Sequence, residues 1–279
     1  MPESPEVQAL VEFLDERVQG RVIAGVDIAE FRVVKTRDRP PESVVGARIT
    51  GMRRFGKHVG FETTAGWLMI GFGRNGWIRW RSADDPPAEE PVPEVVRIVL
   101  DDGAVMQVVD TGDFLAVTAS VVDAPTDVAG IAALGPDPLD PGFTREEFER
   151  ALGSRRKQIK ALLQEQASLA GIGNAYSDEI LHRARLSPTL HAAVLGAEAR
   201  ERLFDAVTDV MRTAVAERRG LPPDRLKQAK VAAMAVHGRG GEECPVCGTV
   251  IVDRVFSGAS AQLCPHCQAE REASAGGRA

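Results

Sequence analysis

Four cysteines form a single pattern, and this pattern constrains the fold more than any other feature of the sequence. The pairs Cys244-Pro-Val-Cys247 and Cys264-Pro-His-Cys267 are separated by sixteen residues. Each pair places two thiolates on one tight turn, and two such turns complete a tetrahedral Zn²⁺ site. Because four thiolates leave no open coordination position, we predict one structural zinc ion. Two disulfides are the alternative, and His266 inside the second pair is an alternative ligand.

Charge is distributed unevenly along the chain. The net charge is −6, yet the segment from Arg150 to Arg239 carries 16 Lys and Arg residues against 9 Asp and Glu residues. Such asymmetry indicates a basic module inside an acidic protein, with chance clustering of solvated charges as the alternative. No apolar run is long enough for a membrane span, and the first residues lack the features of a signal peptide. We therefore expect a cytoplasmic protein.

Hydrophobic periodicity divides the chain into a β-rich part and a helical part. An opening helix is predicted over 5–19, and short β-rich runs follow over 22–28, 47–53, 58–63, 67–72, 77–80, 95–100, 105–109 and 115–122. Many short strands favour a sandwich or barrel. After residue 135, a capping box beginning at Thr144 opens a series of helices, predicted over 155–166, 174–183, 196–219 and 222–230.

These patterns predict an α+β multidomain chain. The first domain is expected over 1–135, and a helical domain is expected over 136–232. A zinc finger is expected over 233–269, followed by a disordered tail over 270–279.

Further motifs accompany the cysteines in a fixed order. The chain opens Met-Pro-Glu-Ser-Pro-Glu, its middle holds Gln-Ile-Lys-Ala-Leu-Leu over 158–163 and Gly-Ile-Gly-Asn over 171–174, and Val-His-Gly-Arg over 236–239 precedes the finger. The ordered set resembles the formamidopyrimidine-DNA glycosylase / endonuclease VIII family across nearly the whole chain. The resemblance implies an N-terminal β-sandwich, a helix–two-turns–helix domain and a zinc-finger β-hairpin. It also implies damaged double-stranded DNA as the partner, and we expect a monomer.

The resemblance assigns the catalytic role to the start of the chain. Removal of Met1 would make Pro2 the terminal residue, and an α-amino group has a pKa of about 7.7–8.0 against about 10.4 for lysine. A useful fraction of such an amine is therefore nucleophilic near neutral pH. It would expel a damaged base as a Schiff base forms, and β-elimination would then cut the strand. Glu3 matches the family's proton-transferring carboxylate, and Glu6 matches a supporting one.

Three basic or polar residues match family positions that contact DNA phosphates. Lys57 matches the family's hairpin lysine, which belongs to the catalytic set. Asn174 matches the asparagine of the two-turn segment, where backbone amides near a helix N-terminus also favour an anion. Lys160 matches a basic residue just upstream.

The sequence departs from the family pattern at three places. Gly71 stands at a histidine position and Arg74 at a methionine position. The loop at Gly112 and Asp113 lacks an arginine but keeps an aromatic residue, Phe114. In the finger, the usual arginine is Ala259. We expect weaker DNA binding in consequence, with Arg74 and Arg254 as candidate substitutes for the lost contacts.

Three functions are compatible with these observations. The first is a bifunctional DNA glycosylase and abasic-site lyase acting on damaged, chiefly oxidised, bases. The second is a catalytically weak or inactive relative that binds DNA damage, which the departures at Gly71, Gly112 and Ala259 would favour. The third is a zinc-ribbon nucleic-acid module on an unrelated sandwich, against which the Gly171–Leu181 match argues.

Overall fold

The computed structural model describes residues 2–86, 93–256 and 259–269. The chain separates into two compact units: the first comprises 1–133 with 217–229, and the second comprises 134–216 with 230–279. The predicted disordered tail over 270–279 lies outside the described residues. The predicted domain boundaries at 135, 232 and 269 stay a prediction.

The first unit is a β-sandwich with an opening helix, as predicted. Its elements are α1 (Ser4–Val18), β1 (Ile23–Ile28), β2 (Ile49–Phe55), β3 (His58–Thr63), β4 (Gly66–Gly71), β5 (Gly76–Arg81), β6 (Glu94–Leu100), β7 (Val105–Asp110), β8 (Thr118–Val122) and the short α2 (Ala129–Ala132). In the described ranges, the strands form two four-stranded antiparallel sheets, ordered β1-β6-β7-β5 and β2-β3-β4-β8. The opening helix begins at Ser4, with Pro5 in its first turn, where the missing N–H costs no intrahelical bond.

The core of this unit lies between the sheets and α1. Alternating strand residues and the apolar face of α1 fill it, including Leu10, Leu14, Phe61 and Ile98, all of which are fully buried. The segment 217–229 joins the same core because Leu226 is fully buried in it and the Trp77 Nε1–H donates to the Pro223 carbonyl at 2.9 Å. A stretch that follows the helical region in sequence therefore packs into the sandwich.

The second unit combines short helices with a zinc-finger hairpin. Its elements are α3 (Arg145–Leu152), α4 (Ile159–Leu163), α5 (Asn174–Ala184), β9 (Val252–Phe256) and β10 (Ala259–Leu263), together with most of α6 (Ala197–Arg218) and the end of α7 (Pro223–Ala233). The capping box predicted at Thr144 is present: the Glu147 N–H donates to Thr144 Oγ1 at 3.2 Å. The helix predicted over 155–166 is shorter than expected, because α4 begins only at Ile159.

The finger is built on backbone pairing and on its cysteines. Strands β9 and β10 pair in antiparallel register, with Val252 opposite Leu263.

Across 2–86, 93–256 and 259–269, none of the helices combines the length and apolar character needed to cross a bilayer.

Candidate functional site

The start of the chain is fixed by the first turn of α1. Pro2 is half-buried, whereas the side chains of Glu3 and Glu6 are almost completely buried. Glu6 Oε2 accepts the backbone N–H of Glu3 at 3.2 Å, as expected for an acidic residue at the N-terminal end of a helix. The two carboxylates predicted to support catalysis therefore lie together, next to Pro2.

A buried arginine neutralises one of these carboxylates. Arg218, the last residue of α6, has its Nε 3.2 Å from Glu6 Oε1, and both side chains are at most 3% exposed. The next residue, Arg219, pairs with Glu12 further along α1, and this pairing lowers the pKa of Glu12. Two consecutive arginines thus attach the 217–229 segment to the opening helix.

The turn that carries Lys57 is bound to the same helix. Ser4 Oγ donates to the Gly56 carbonyl at 3.1 Å, and Arg54 Nη1 donates to Ser4 Oγ at 2.9 Å. Gly56 has φ +54°, in the left-handed region that glycine adopts without strain. The hairpin between β2 and β3 therefore holds Lys57, which is half-buried, next to the residues that follow Pro2.

The histidine position of the family is occupied differently in this chain. Gly71 pairs with His58 across β3 and β4, and a Cβ atom at 71 would lie 2.9 Å from His58 Cδ2. The Thr118 hydroxyl, 2.5 Å from that position, and the ring of His58 together occupy the space that a side chain at 71 would need. Burial lowers the pKa of His58, and its Nδ1 lies 3.3 Å from the Phe55 carbonyl. The loss of a side chain at 71 is therefore matched by an imidazole one strand away.

Two exposed loops of the first unit carry Arg74 and Phe114. Arg74 lies in the turn between β4 and β5, and Phe114 is 86% exposed. The base of the Phe114 loop is fixed by the buried Asp110 carboxylate, which accepts the N–H groups of Gly112, Ala116 and Val117. A Cβ atom at Gly112 would lie 2.2 Å from Asn75 Nδ2, so a side chain at this position would require the exposed Asn75 amide to move.

In the second unit, Asn174 begins α5 and contacts the finger. Asn174 Nδ2 donates to Ser260 Oγ on β10 at 3.2 Å, and its Oδ1 accepts from Gln164 Nε2 at 3.0 Å. Arg254 is exposed on the neighbouring strand β9. The structure therefore brings Asn174 to the hairpin that carries Arg254. Ala259, at the position of the missing arginine, opens β10.

Lys160 is buried rather than exposed to DNA. Its ammonium group pairs with Asp178, and both side chains are almost fully buried. Asp178 Oδ2 also contacts His237 Nδ1 at 2.8 Å. The expected phosphate contact of Lys160 stays a prediction, and this buried ion pair argues against it, because breaking the pair would leave Asp178 uncompensated.

The four cysteines converge at one point in the finger. Their Sγ atoms all lie within 4.8 Å of one another, with Cys247 and Cys264 3.4 Å apart and Cys244 and Cys267 4.0 Å apart. Tetrahedral coordination at a Zn–S distance of about 2.3 Å requires sulfur atoms about 3.8 Å apart. Hydrogen bonds from Thr249 lower the pKa of Cys247 to about 6, which favours the thiolate form. The donor set fits one structural zinc ion, as predicted.

Sequence reasoning missed three polar side chains near these sites. The ion pair of Arg218 with Glu6 could not be predicted from the sequence, because the two residues are more than two hundred positions apart. His58 could have been found, since it follows Lys57 directly and a short hairpin aligns it with Gly71. The third is His182, and its Nε2 lies 3.3 Å from Cys244 Sγ. His182 follows Asn174 by two turns of α5, and this spacing indicates that the two residues share one face of the helix.

Family models match most of the chain. The formamidopyrimidine-DNA glycosylase N-terminal domain matches residues 1–117, and its H2TH domain matches residues 134–222. A zinc finger found in FPG and IleRS matches residues 241–269.

Individual relatives are similar over almost their whole length. The formamidopyrimidine-DNA glycosylases of Salinispora arenicola and Pelotomaculum thermopropionicum are 34% and 30% identical, over 96% of this chain and 96% and 99% of theirs. The solved structure of the MutM (Fpg) protein from Thermus thermophilus is 30% identical, with a TM-score of 0.80 over 96% of this chain and 98% of that one. Lactococcus lactis Fpg, solved with DNA containing N7-benzyl-Fapy-dG, is 25% identical, with a TM-score of 0.85 over 96% of this chain and 100% of that one.

Proposed function

Because this chain belongs to the formamidopyrimidine-DNA glycosylase family, it is a DNA glycosylase and abasic-site lyase, and we propose that Pro2 is its nucleophile. The observation that carries the proposal is the hydrogen bond from Ser4 Oγ to the Gly56 carbonyl. This bond attaches the turn that carries Lys57 to Ser4, two residues after Pro2, which becomes the N-terminus when Met1 is removed. An amine and a basic residue then face the same deoxyribose and its phosphate.

The reaction follows from the chemistry of a secondary amine. The Pro2 nitrogen attacks C1′ of the damaged nucleotide, the bond from C1′ to the base breaks, and the base leaves with a proton. The amine proton moves to O4′ as the C1′–O4′ bond breaks, which opens the sugar and leaves an iminium ion at C1′. A base then removes the acidified proton at C2′, the C3′–O bond breaks, and the strand is cut. Water releases the sugar fragment from the amine.

Glu3 is the residue we propose to carry these protons. It directly follows Pro2, its side chain is buried, and the first turn of α1 fixes its backbone. Restricting a carboxyl group in this way reduces the entropy cost of proton transfer. Replacement of Glu3 by Gln should therefore lower the rate of base release by about 10²–10⁴-fold.

Glu6 has a supporting role that depends on Arg218. Its carboxylate accepts the Glu3 N–H, so it lies within about 7 Å of the Pro2 nitrogen, one peptide unit further on. A lone carboxylate at that distance would stabilise the protonated, non-nucleophilic amine. The guanidinium group of Arg218 on the same carboxylate offsets this effect. We therefore assign to the pair the task of fixing the N-terminus without adding a net negative charge beside its amine.

Damaged double-stranded DNA is the proposed partner. Lys57 and Asn174 are proposed to bind phosphates, Phe114 to enter the space left by the flipped base, and Arg74 and Arg254 to replace contacts that the family makes with other side chains. The exposure of Arg74, Phe114 and Arg254 supports these roles. We further propose that the protein acts as a monomer in the cytoplasm, where it associates with the nucleoid through DNA.

Borohydride trapping tests the proposal. The Met-processed protein, incubated with an abasic-site oligonucleotide and borohydride, should form a covalent adduct that is absent in protein with an extended N-terminus, because the Pro2 nitrogen is then an amide and no longer an amine. Pro5→Ala is the matched control, because it alters a proline of the same helix turn and leaves the terminal amine in place. An adduct of equal yield in the N-terminally extended protein would remove Pro2 from its role. No adduct from any folded form would instead identify the chain as a binding relative.

A further inference from the structure

One face of helix α5 contacts the zinc finger at regular intervals. Asn174 bonds to Ser260, Asp178 contacts His237, and His182 contacts Cys244, so the contacts recur every four residues. Residues four apart lie on the same side of a helix. Beyond the helix, the Leu186 carbonyl accepts a hydrogen bond from Gln268 Nε2 at 3.0 Å. The finger is therefore held along the length of α5.

His182 is the member of this row that contacts a zinc ligand. Its Nε2 lies 3.3 Å from Cys244 Sγ, and both residues are buried. A buried imidazole nitrogen requires a hydrogen-bond partner, and a zinc-bound thiolate can only accept. The geometry therefore requires the proton on Nε2, directed at sulfur.

We propose that His182 is a positioning residue of the zinc centre, in which its Nε2–H donates to the Cys244 thiolate and connects the metal to α5. The hydrogen bond spreads the negative charge of the thiolate, so it reduces the repulsion among the four thiolates and favours the zinc-loaded site. It also fixes the orientation of Cys244, the first ligand of the finger. Because Asn174 lies on the same face, this bond connects the metal site to the helix that presents Asn174.

The proposal predicts weaker zinc binding when the donor is lost. Hydrogen bonds of this kind commonly change metal affinity by about 10–100-fold. We expect His182→Phe to lower zinc affinity by that factor, measured on the full-length protein by competition with a chromogenic chelator. Circular dichroism checks that the variant is folded. His182→Gln, whose side-chain N–H can reach the same position, should restore most of the affinity. The matched control is His191→Phe, because His191 is exposed in the same unit.

A spectroscopic measurement separates this role from simple packing. In Co²⁺-loaded protein, loss of the hydrogen bond should move the sulfur-to-cobalt charge-transfer band to lower energy in His182→Phe and leave it in place in His191→Phe. An unshifted band together with affinity within twofold of the parent overturns the proposal. Equal loss of affinity in His182→Phe and His182→Gln with an unshifted band also overturns it, since that pattern indicates packing alone.

A third measurement needs no variant. In ¹¹³Cd-loaded parent protein, nuclear magnetic resonance should find the proton of His182 on Nε2, with scalar coupling between that proton and the metal. A proton on Nδ1, with a bare Nε2 facing the sulfur, would exclude donation to Cys244.

Discussion

Removal of Arg218 tests whether the ion pair behind the N-terminus holds the first unit together. Arg218→Met keeps most of the apolar stem but leaves the Glu6 carboxylate buried without its guanidinium partner. Breaking one side of a buried ion pair costs about 3–5 kcal/mol, because the remaining charge is uncompensated. The total free energy of unfolding of a folded protein is about 5–15 kcal/mol, so this loss would be a large part of it.

A double-mutant cycle makes the test specific. Glu6→Gln alone should destabilise the unit by a similar amount, whereas Arg218→Met combined with Glu6→Gln removes both charges and should cost far less than the sum. The three tryptophans of the chain, Trp67, Trp77 and Trp80, all lie in the first unit, so urea unfolding followed by tryptophan fluorescence reports on this unit. Arg219→Met is the control, since Arg219 pairs with Glu12 at the surface and should cost about 0–1 kcal/mol. Additive single-mutant effects, or a loss below about 1 kcal/mol in Arg218→Met, would refute the reasoning.

The remaining predictions concern DNA binding, one loop and acid stability. If Arg74 and Arg254 each bind a phosphate, Arg74→Ala and Arg254→Ala should each reduce the slope of log Kd against log salt by about 0.9, measured by fluorescence anisotropy; an unchanged slope removes that residue from the interface. Asp110→Ala removes the acceptor of three backbone N–H groups, and we expect a loss of about 1–3 kcal/mol by urea unfolding, together with faster proteolysis near Phe114; a stability equal to that of the parent would contradict the observed bonding. Hydrogen bonds from Lys157, then from Ser168, lower the pKa of Glu165 to about 2. The contribution of Glu165 to the free energy of unfolding is therefore present above about pH 4.5 and is lost as the pH falls towards 2. Glu165→Gln should flatten this part of the stability profile measured by circular dichroism, by a small amount because the group is partly solvated, and an unaltered profile would show that the pairing adds no stability.

Local patterns predicted much of the fold. The strands of the first unit and the helix beginning at Asn174 follow from alternation, periodicity and caps, which are properties of neighbouring residues. The zinc ligands follow from spacing within one short segment. These features need no knowledge of how distant parts of the chain meet.

Long-range pairing explains what the sequence did not reveal. Arg218 reads as one more cation at the end of an amphipathic helix, yet it pairs with a carboxylate in the first helix. Lys160 reads as a solvated lysine, yet Asp178 and burial remove it from the surface. Gly71 reads as a missing histidine, although Thr118 and His58 occupy the space beside it. In each case the decisive partner lies on another element.

The segment 217–229 has a consequence for biosynthesis. The sandwich is encoded in two separated stretches, with the helices of 134–216 inserted between them. A ribosome that has released residue 133 must add 96 more residues, 134 to 229, before Leu226 and its neighbours can join the sandwich. At about 5–20 residues per second this takes about 5–20 s. During that interval the nascent sandwich lacks both Leu226 and the counter-ion of Glu6. The first unit therefore cannot be transferred between genes as a continuous cassette, and a protein truncated after residue 133 should be a substrate for chaperones and proteases.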